Sequence, residues 1–157
     1  MPNPQWQIII NRQTCASGWK KWQIFLEENR ISCDLHHTYS IDEAYATITT
    51  LYQQGHLHYL FVGGDGTIHH GVNKLMELSG SQSSAITMGV LPCGTGNDWV
   101  RSFGTPLDRL AISLREEYTA PYNLVRITWP DGRTRYAANM VGGALDAAVV
   151  LNLKRAS

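Results

Sequence analysis

Short apolar runs alternate along this chain with longer stretches in which apolar residues recur every three or four positions. The runs are typical of buried strands, and the recurring positions are typical of helices with one apolar face. The predicted strands are residues 7–11, 33–38, 59–62 and 87–91. The predicted helices are residues 18–29, residues 42–54, one that follows residue 67, and a short one that follows residue 98. This alternation predicts an α/β fold, a parallel sheet with helices on both faces.

The pattern changes near Pro121. Two extended segments, residues 123–129 and 133–140, flank Pro130-Asp131-Gly132, a sequence typical of a hairpin turn. Antiparallel pairing therefore replaces the alternation of strands and helices. We expect an α/β domain at residues 1–120 and the beginning of a β-rich second domain at residues 121–157.

The composition indicates a folded domain and argues against a nucleic-acid-binding protein. A chain of 157 residues with 43% hydrophobic residues is typical of a folded domain with a substantial core. Its 13 Lys and Arg balance 13 Asp and Glu, so the net charge is +0. Because nucleic-acid-binding proteins concentrate basic charge on one face, this balance argues against a nucleic-acid partner.

The cysteines carry a prediction about the cellular setting. Cys15, Cys33 and Cys93 are odd in number and widely spaced, and no CxxC motif occurs. They indicate neither a disulfide framework nor a zinc finger. We therefore expect reduced cysteines and a cytoplasmic location.

Two glycine-rich turns follow predicted strands, at residues 63–67 (GGDGT) and 92–98 (PCGTGND). In a parallel sheet, ligands bind beyond the carboxyl ends of the strands. Glycines let the backbone approach a phosphate closely, and the first N–H groups of the next helix donate to it. Two such turns could hold a nucleoside triphosphate, and the exposed carboxylate of Asp65 suits Mg²⁺ or a substrate hydroxyl.

The two turns differ from the common phosphate-binding motifs. No GxxxxGK occurs, so neither turn is a P-loop, and the third glycine of a dinucleotide-binding fingerprint is missing after Gly94 and Gly96. Each turn alone could serve backbone geometry only, with Thr67 or Asn97 capping the next helix. The presence of two such turns favours a single ligand that both turns bind.

The two motifs, with Arg101 and Gly104 beyond them, resemble the catalytic domain of the diacylglycerol kinase and bacterial lipid kinase family. That family lies within the NAD kinase and phosphofructokinase-like superfamily. The first motif alone is shared with NAD kinases, whereas the second discriminates. The strand that ends at Asn11, Thr38 after the second strand, and residues 135–149 match as well, so the resemblance covers most of the chain.

The resemblance implies an NAD kinase-like nucleotide-binding domain and an ATP-dependent lipid kinase that uses Mg²⁺. Its acceptor would be a lipid hydroxyl, such as that of diacylglycerol or a sphingoid base. Asp65 would be the catalytic residue, orienting Mg²⁺-ATP or helping to deprotonate the acceptor, while Asn97 and Asp98 would fix the second turn. No residue is assigned as a metal ligand. The implied nucleotide-binding residues are Asn11, Thr38, Gly63, Gly64, Asp65, Gly66, Thr67, Gly94, Thr95, Gly96 and Asn97.

The chain departs from the family pattern at three points. Asn11-Arg12 stands where the family usually has Asn-Pro, and His69-His70 where it usually has Asn-Glu. Adjacent histidines diverge on a helix, so we interpret this pair as solvated or capping rather than as metal ligands. The family's enzymes are also longer, with a β-rich second domain that supplies the catalytic base and further metal ligands. The resemblance therefore implies a truncated chain that carries the nucleotide half of an active site.

Three functions remain open on the sequence. The first is the lipid kinase, with transient contact at the membrane surface and a homodimer as open questions. The second is an NAD kinase-like enzyme, which GGDGT alone permits. The third is a non-catalytic nucleotide-binding module.

Overall fold

The computed structural model describes residues 4–101, 104 and 106–138. The chain forms β1 (Trp6–Asn11), α1 (Trp19–Glu28), β2 (Cys33–Thr38), α2 (Ile41–Gln53), β3 (His58–Gly63), α3 (Asp65–Ser79), a 3₁₀ helix (Gly80–Ala85), β4 (Thr87–Pro92), α4 (Asp98–Arg101), α5 (Leu107–Glu116), β5 (Val125–Thr128) and β6 (Thr134–Ala137). β1 to β4 form one parallel sheet in the order β2-β1-β3-β4. This confirms the predicted α/β fold.

Helices cover both faces of the sheet because successive residues of the central strands point in opposite directions. Ile8 and Ile10 of β1 pack on one face with Trp22 and Leu26 of α1. Ile9 packs on the other face with α2 and α3. The core therefore lies in two layers, and the carboxyl ends of the strands meet at one edge of the sheet.

α5 is an element that the sequence interpretation did not include. Its Leu114 is buried in the same layer as α1, and the indole Nε1 of Trp6 donates a hydrogen bond to the Leu114 carbonyl at 3.0 Å. This buried bond joins residues 108 positions apart in the chain. It fixes α5 against the start of β1.

β5 and β6 pair antiparallel, with Val125 opposite Ala137, which confirms the predicted hairpin. Tyr136 and Ala138 pack against a buried cluster that contains Ile68 and Val72 of α3. The later part of the segment that resembles a second domain, residues 139–157, lies outside the described residues. The boundary near residue 120 therefore stays a prediction.

The prediction that no disulfide forms was wrong. Cys15 and Cys93 form a disulfide, with their Cα atoms 5.5 Å apart, a separation normal for such bonds. Cys15 lies in the loop after β1 and Cys93 directly after β4, so both follow strands at the same edge of the sheet. Counting and spacing cannot reveal a pair that is 78 positions apart in sequence. The inferred reducing setting therefore no longer follows from the cysteines.

Within the described residues, no helix combines the length and the apolarity needed to cross a bilayer.

Candidate functional site

The two glycine turns lie against each other at the carboxyl edge of the sheet. Gly63 of β3 is paired with Pro92 of β4, and the N–H of Cys93 donates to the Gly63 carbonyl at 2.8 Å. A Cβ placed on Gly94 would lie 2.6 Å from the Cα of Gly64, and one placed on Gly64 would lie 3.2 Å from the Cα of Gly94. These are contacts of backbone with backbone. Glycine is therefore required at Gly94 for packing, and Gly64 leaves little room for a side chain.

Asp65 joins the two turns. It is the first residue of α3, and its carboxylate accepts the backbone N–H groups of Asp98 at 3.2 Å and Trp99 at 3.1 Å. Sequence reasoning treated Asp65 as a free, exposed carboxylate, but the structure makes it a half-buried cap on α4. Because an ionised carboxylate has about four lone-pair sites, capping leaves part of its acceptor capacity unused.

A second carboxylate lies near Asp65. A Cβ on Gly96 would lie 3.1 Å from Oδ2 of Asp65 and 3.8 Å from Oδ2 of Asp98, so the two carboxylates approach Gly96 together. The Asp98 side chain is exposed, and Arg101 lies 3.8 Å from it. The site thus has two acidic groups that reach solvent beside the second turn.

Asn97 closes the second turn on itself. Its backbone is in the left-handed region, with φ of 55°, a conformation that Asn tolerates better than most residues. Its Oδ1 accepts the N–H of Gly94 at 3.0 Å, and its Nδ2 donates to the Gly94 carbonyl at 2.6 Å. These bonds agree with the expectation that Asn97 fixes this turn. Thr95, at the tip of the turn, is exposed.

The end of β1 contacts the first turn through a side-chain hydrogen bond. Nδ2 of Asn11 donates to Oγ1 of Thr67 at 3.0 Å, which leaves the hydroxyl hydrogen of Thr67 free to donate elsewhere. A Cβ on Gly63 would collide with the Thr67 side chain. Thr38 is almost fully buried, and its hydroxyl donates to the Ile10 carbonyl at 3.2 Å. The Asn11–Thr67 bond therefore joins the end of β1 to the first turn, whereas Thr38 lies at the end of β2 and is bonded to β1.

A small cavity of about 40 Å³ connects these side chains to α2 and α3. It has room for about three water molecules, each of which needs about 10–15 Å³ on this measure. A nucleotide base would not fit inside it with the side chains as they stand. Its lining includes Asn11, Thr38, Tyr45, Thr67 and His70.

Sequence reasoning missed Tyr45, whose hydroxyl is 2.8 Å from Nδ1 of His70. Burial, followed by the nearby charges of His69 and Arg135, lowers the pKa of His70 below its ordinary 6.5. This shift favours the neutral form of the ring. An aromatic residue on a predicted helix gives no sequence signal of such a contact.

These geometric features can be compared with known proteins. The sequence profile of the diacylglycerol kinase catalytic domain matches residues 5–127. The chain belongs to this family. The matched segment contains both glycine turns and every predicted nucleotide-binding residue, so the diacylglycerol kinase resemblance seen in the motifs is confirmed.

Relatives of this diacylglycerol kinase-family chain carry lipid kinase names. A protein named "Probable lipid kinase YegS-like" from Xanthomonas oryzae pv. oryzae (strain MAFF 311018) is 25% identical over 155 residues, which cover 96% of this chain and 50% of the relative. A protein of the same name from Klebsiella pneumoniae (strain 342) is 32% identical over 99 residues, 60% of this chain and 31% of the relative. The chain thus spans half the length of the Xanthomonas relative.

A solved structure shows the same fold. The crystal structure of a diacylglycerol kinase from Bacillus anthracis str. Sterne superposes with a TM-score of 0.59 at 20% identity. The match covers 79% of this chain and 46% of that one. The parallel sheet with its flanking helices is therefore the architecture of a diacylglycerol kinase-family protein.

The first departure from the diacylglycerol kinase pattern, Arg12, has a structural explanation. The guanidinium of Arg12, where the family usually has proline, lies over the rings of Trp19 and Tyr39 at 5.2 and 5.9 Å and donates to the Ala16 carbonyl at 2.9 Å. It holds the loop after β1. The rings of the two histidines lie 5.5 Å apart and are inclined by 76°. Within residues 4–101, 104 and 106–138, no three His, Cys, Asp or Glu side chains form a group that could hold a metal ion.

Proposed function

We propose that this chain forms the ATP-binding part of a lipid kinase, which transfers the γ-phosphoryl group of ATP to a lipid hydroxyl such as that of diacylglycerol or a sphingoid base. The observation that carries the proposal is the backbone contact between Gly64 and Gly94, which brings two glycine turns to one edge of the sheet. Membership of the diacylglycerol kinase family supports the same conclusion.

The first turn offers donors for phosphate oxygens. α3 begins at Asp65 without a side-chain cap on its N-terminus. The N–H of Thr67 already donates to the Gly64 carbonyl at 3.0 Å, so the N–H groups of Asp65 and Gly66 are the ones that lack a partner within the helix. A Cβ on Gly66 would meet nothing within 4 Å, so open space lies beside this turn. Thr67 lies in the same first turn of α3, and Thr95 is exposed in the second glycine turn. Donors fixed in advance around developing negative charge suit phosphoryl transfer, whose catalysis consists mainly of positioning and charge stabilisation.

Asp65 and Asp98 fit a magnesium ion that is bound mainly through ATP. Mg²⁺ commonly uses one or two protein carboxylates together with water and substrate phosphates, and these two carboxylates both approach Gly96. When bound, the ion neutralises phosphate charge. The role of Asp65 is to orient Mg²⁺-ATP, and its bonds to the N–H groups of Asp98 and Trp99 hold its carboxylate between the two turns.

Calorimetric titration of the 157-residue chain with Mg²⁺-ATP tests the nucleotide site. Asp65→Ala and Gly64→Asp should each weaken binding at least tenfold, because one removes the orienting carboxylate and the other places a charged side chain between the turns. Asp108→Ala, in the exposed first turn of α5, is the matched control. Asp65→Asn, which retains an acceptor for the α4 N–H groups, separates loss of the site from loss of the fold. Equal affinity in wild type, Asp65→Ala and Gly64→Asp would refute the proposal.

A transfer assay tests the acceptor. Single-turnover incubation with γ-labelled ATP and diacylglycerol, sphingosine or NAD should label only a lipid. Labelling of NAD instead of a lipid would show that the activity is that of an NAD kinase-like enzyme and would refute the lipid kinase proposal. Transfer to any lipid acceptor by this 157-residue chain would count against a non-catalytic nucleotide-binding module.

A further inference from the structure

We infer that the groove between α3 and the β5–β6 hairpin binds a phosphate-bearing anion, at a site separate from the glycine turns. This inference does not depend on the proposed kinase activity. The groove has a volume of about 470 Å³. Its charged or ionisable lining residues are His69, His70, Lys74, Glu77, Arg126 and Arg135.

The two walls of the groove are held at a fixed separation. The side chain of Asn73 on α3 donates to the Tyr136 carbonyl at 2.9 Å and accepts the Tyr136 N–H at 2.9 Å. The amide of Asn73 thus pairs with the backbone of β6 as a neighbouring strand would. Both bonds join α3 to the hairpin, and Lys74 on one side and Arg126 and Arg135 on the other line the groove between them.

The groove has an excess of positive charge. Lys74, whose side chain is 15% exposed, lies 3.1 Å from Glu77, and its ammonium is 5.7 Å from the centre of the Tyr45 ring. Among the residues that the structure describes, Arg126 and Arg135 form no ion pair. The chain as a whole has a net charge of +0. Two unpaired arginines beside a paired lysine are therefore a local concentration of charge rather than a property of the whole surface.

The histidines add donors suited to an anion. Nδ1 of His70 faces the Tyr45 hydroxyl. When that hydroxyl donates, the neutral ring carries its proton on Nε2 and can donate in turn. Burial lowers the pKa of His70, and the nearby charges of His69 and Arg135 lower it further. A bound anion would offset the charge of Arg135, which disfavours protonation of the ring.

The chemistry of the lining favours phosphate. Arginine forms paired hydrogen bonds to phosphate oxygens, and its guanidinium remains charged at every physiological pH. A nucleic acid would need an extended basic surface, whereas this groove offers two arginines and a lysine that is paired with Glu77. The site therefore suits a single phosphate group, either free in solution or in a lipid headgroup.

Titration of the isotope-labelled chain with inorganic phosphate, followed by amide NMR, tests this site. We expect saturable shifts at residues 69–77 and 134–136, and at least tenfold weaker binding in the double variant Arg126→Gln/Arg135→Gln. Arg133→Gln is the matched control, because Arg133 lies on the same hairpin but pairs with Asp131 at 2.6 Å. All three arginines are exposed, so these changes should leave the melting temperature unchanged.

Flotation with vesicles distinguishes the source of the phosphate. Binding to phosphatidylcholine vesicles that contain phosphatidic acid, but not to phosphatidylcholine alone, with loss in the double variant, would identify a lipid headgroup. Binding of inorganic phosphate without flotation would identify a soluble phosphate. The inference fails if neither probe binds, if the double variant and Arg133→Gln respond alike, or if phosphate shifts only residues 63–67 and 92–98.

Discussion

Replacing single glycines separates the packing of the two turns from their proposed role in holding phosphate. A Cβ on Gly94 would lie 2.6 Å from the Cα of Gly64, which is 0.8 Å short of the 3.4 Å at which ordinary contact begins. The turns cannot easily move apart, because the Cys93 N–H is bonded to the Gly63 carbonyl. Gly94→Ala should therefore cost about 1–3 kcal/mol of folding free energy, the usual range for overpacking.

Gly66→Ala should behave in the opposite way. Its added methyl meets nothing within 4 Å and lies in the first turn of α3. Alanine is favoured over glycine in helices by about 1 kcal/mol, so the fold should be unchanged or slightly stabilised. The same methyl would occupy the open space proposed for the phosphates. We expect ATP affinity to fall about tenfold, which corresponds to about 1.4 kcal/mol.

Circular-dichroism melts and Mg²⁺-ATP calorimetry on both variants measure these effects. A chain of this size loses about 2–4 °C of melting temperature per kcal/mol, so Gly94→Ala should melt about 2–12 °C below wild type. A wild-type melting temperature for Gly94→Ala would show that the turns do not touch. Wild-type ATP affinity for a stable Gly66→Ala would show that the phosphates lie elsewhere.

Further predictions concern the disulfide, α5 and His70. Alkylation of the denatured chain should label one thiol before reduction and three after it. Reduction of the Cys15–Cys93 bond should lower the free energy of unfolding by up to about 4 kcal/mol, because the bond closes a long loop. Three reactive thiols before reduction would contradict the bond. Trp6→Phe should cost about 1–3 kcal/mol in urea denaturation, because it leaves a buried carbonyl of α5 unpaired; an unchanged midpoint would contradict that contact. Because the pKa of His70 is lowered in the folded chain, the unfolded chain binds a proton at His70 more readily, and the free energy of unfolding should fall as the pH drops below 6.5. In Arg135→Gln, NMR titration should show a higher pKa for His70. An unchanged pKa in that variant would show that the charge of Arg135 does not act on His70.

The sheet could be predicted because its strands and turns have strong local patterns. Residues 59–67 combine a buried apolar run with a glycine turn, and both lie where the sequence indicates. α5 was missed although its apolar residues Leu107, Leu110, Ala111 and Leu114 recur at the spacing of a helix. Leu110, Ala111 and Leu114 form its inward face. Its position depends on the distant bond from Trp6, which no local pattern reveals.

The sequence indicated the two glycine turns but not the contacts between them. The motifs identified both turns, yet their separation in sequence does not show that Gly64 and Gly94 touch. Asp65 was expected to be exposed because glycines flank it, whereas the placement of α4 makes it a cap for Asp98 and Trp99. The Cys15–Cys93 bond likewise depends on which loops meet in space.

The claim that the two turns bind ATP together is tested most directly by hydrogen–deuterium exchange of the 157-residue chain with and without Mg²⁺-ATP. The nucleotide should slow exchange at residues 63–67 and at residues 92–98 together, and Asp65→Asn should reduce the protection at both turns. If the nucleotide slows exchange at only one turn, or at neither, the two turns do not bind ATP together.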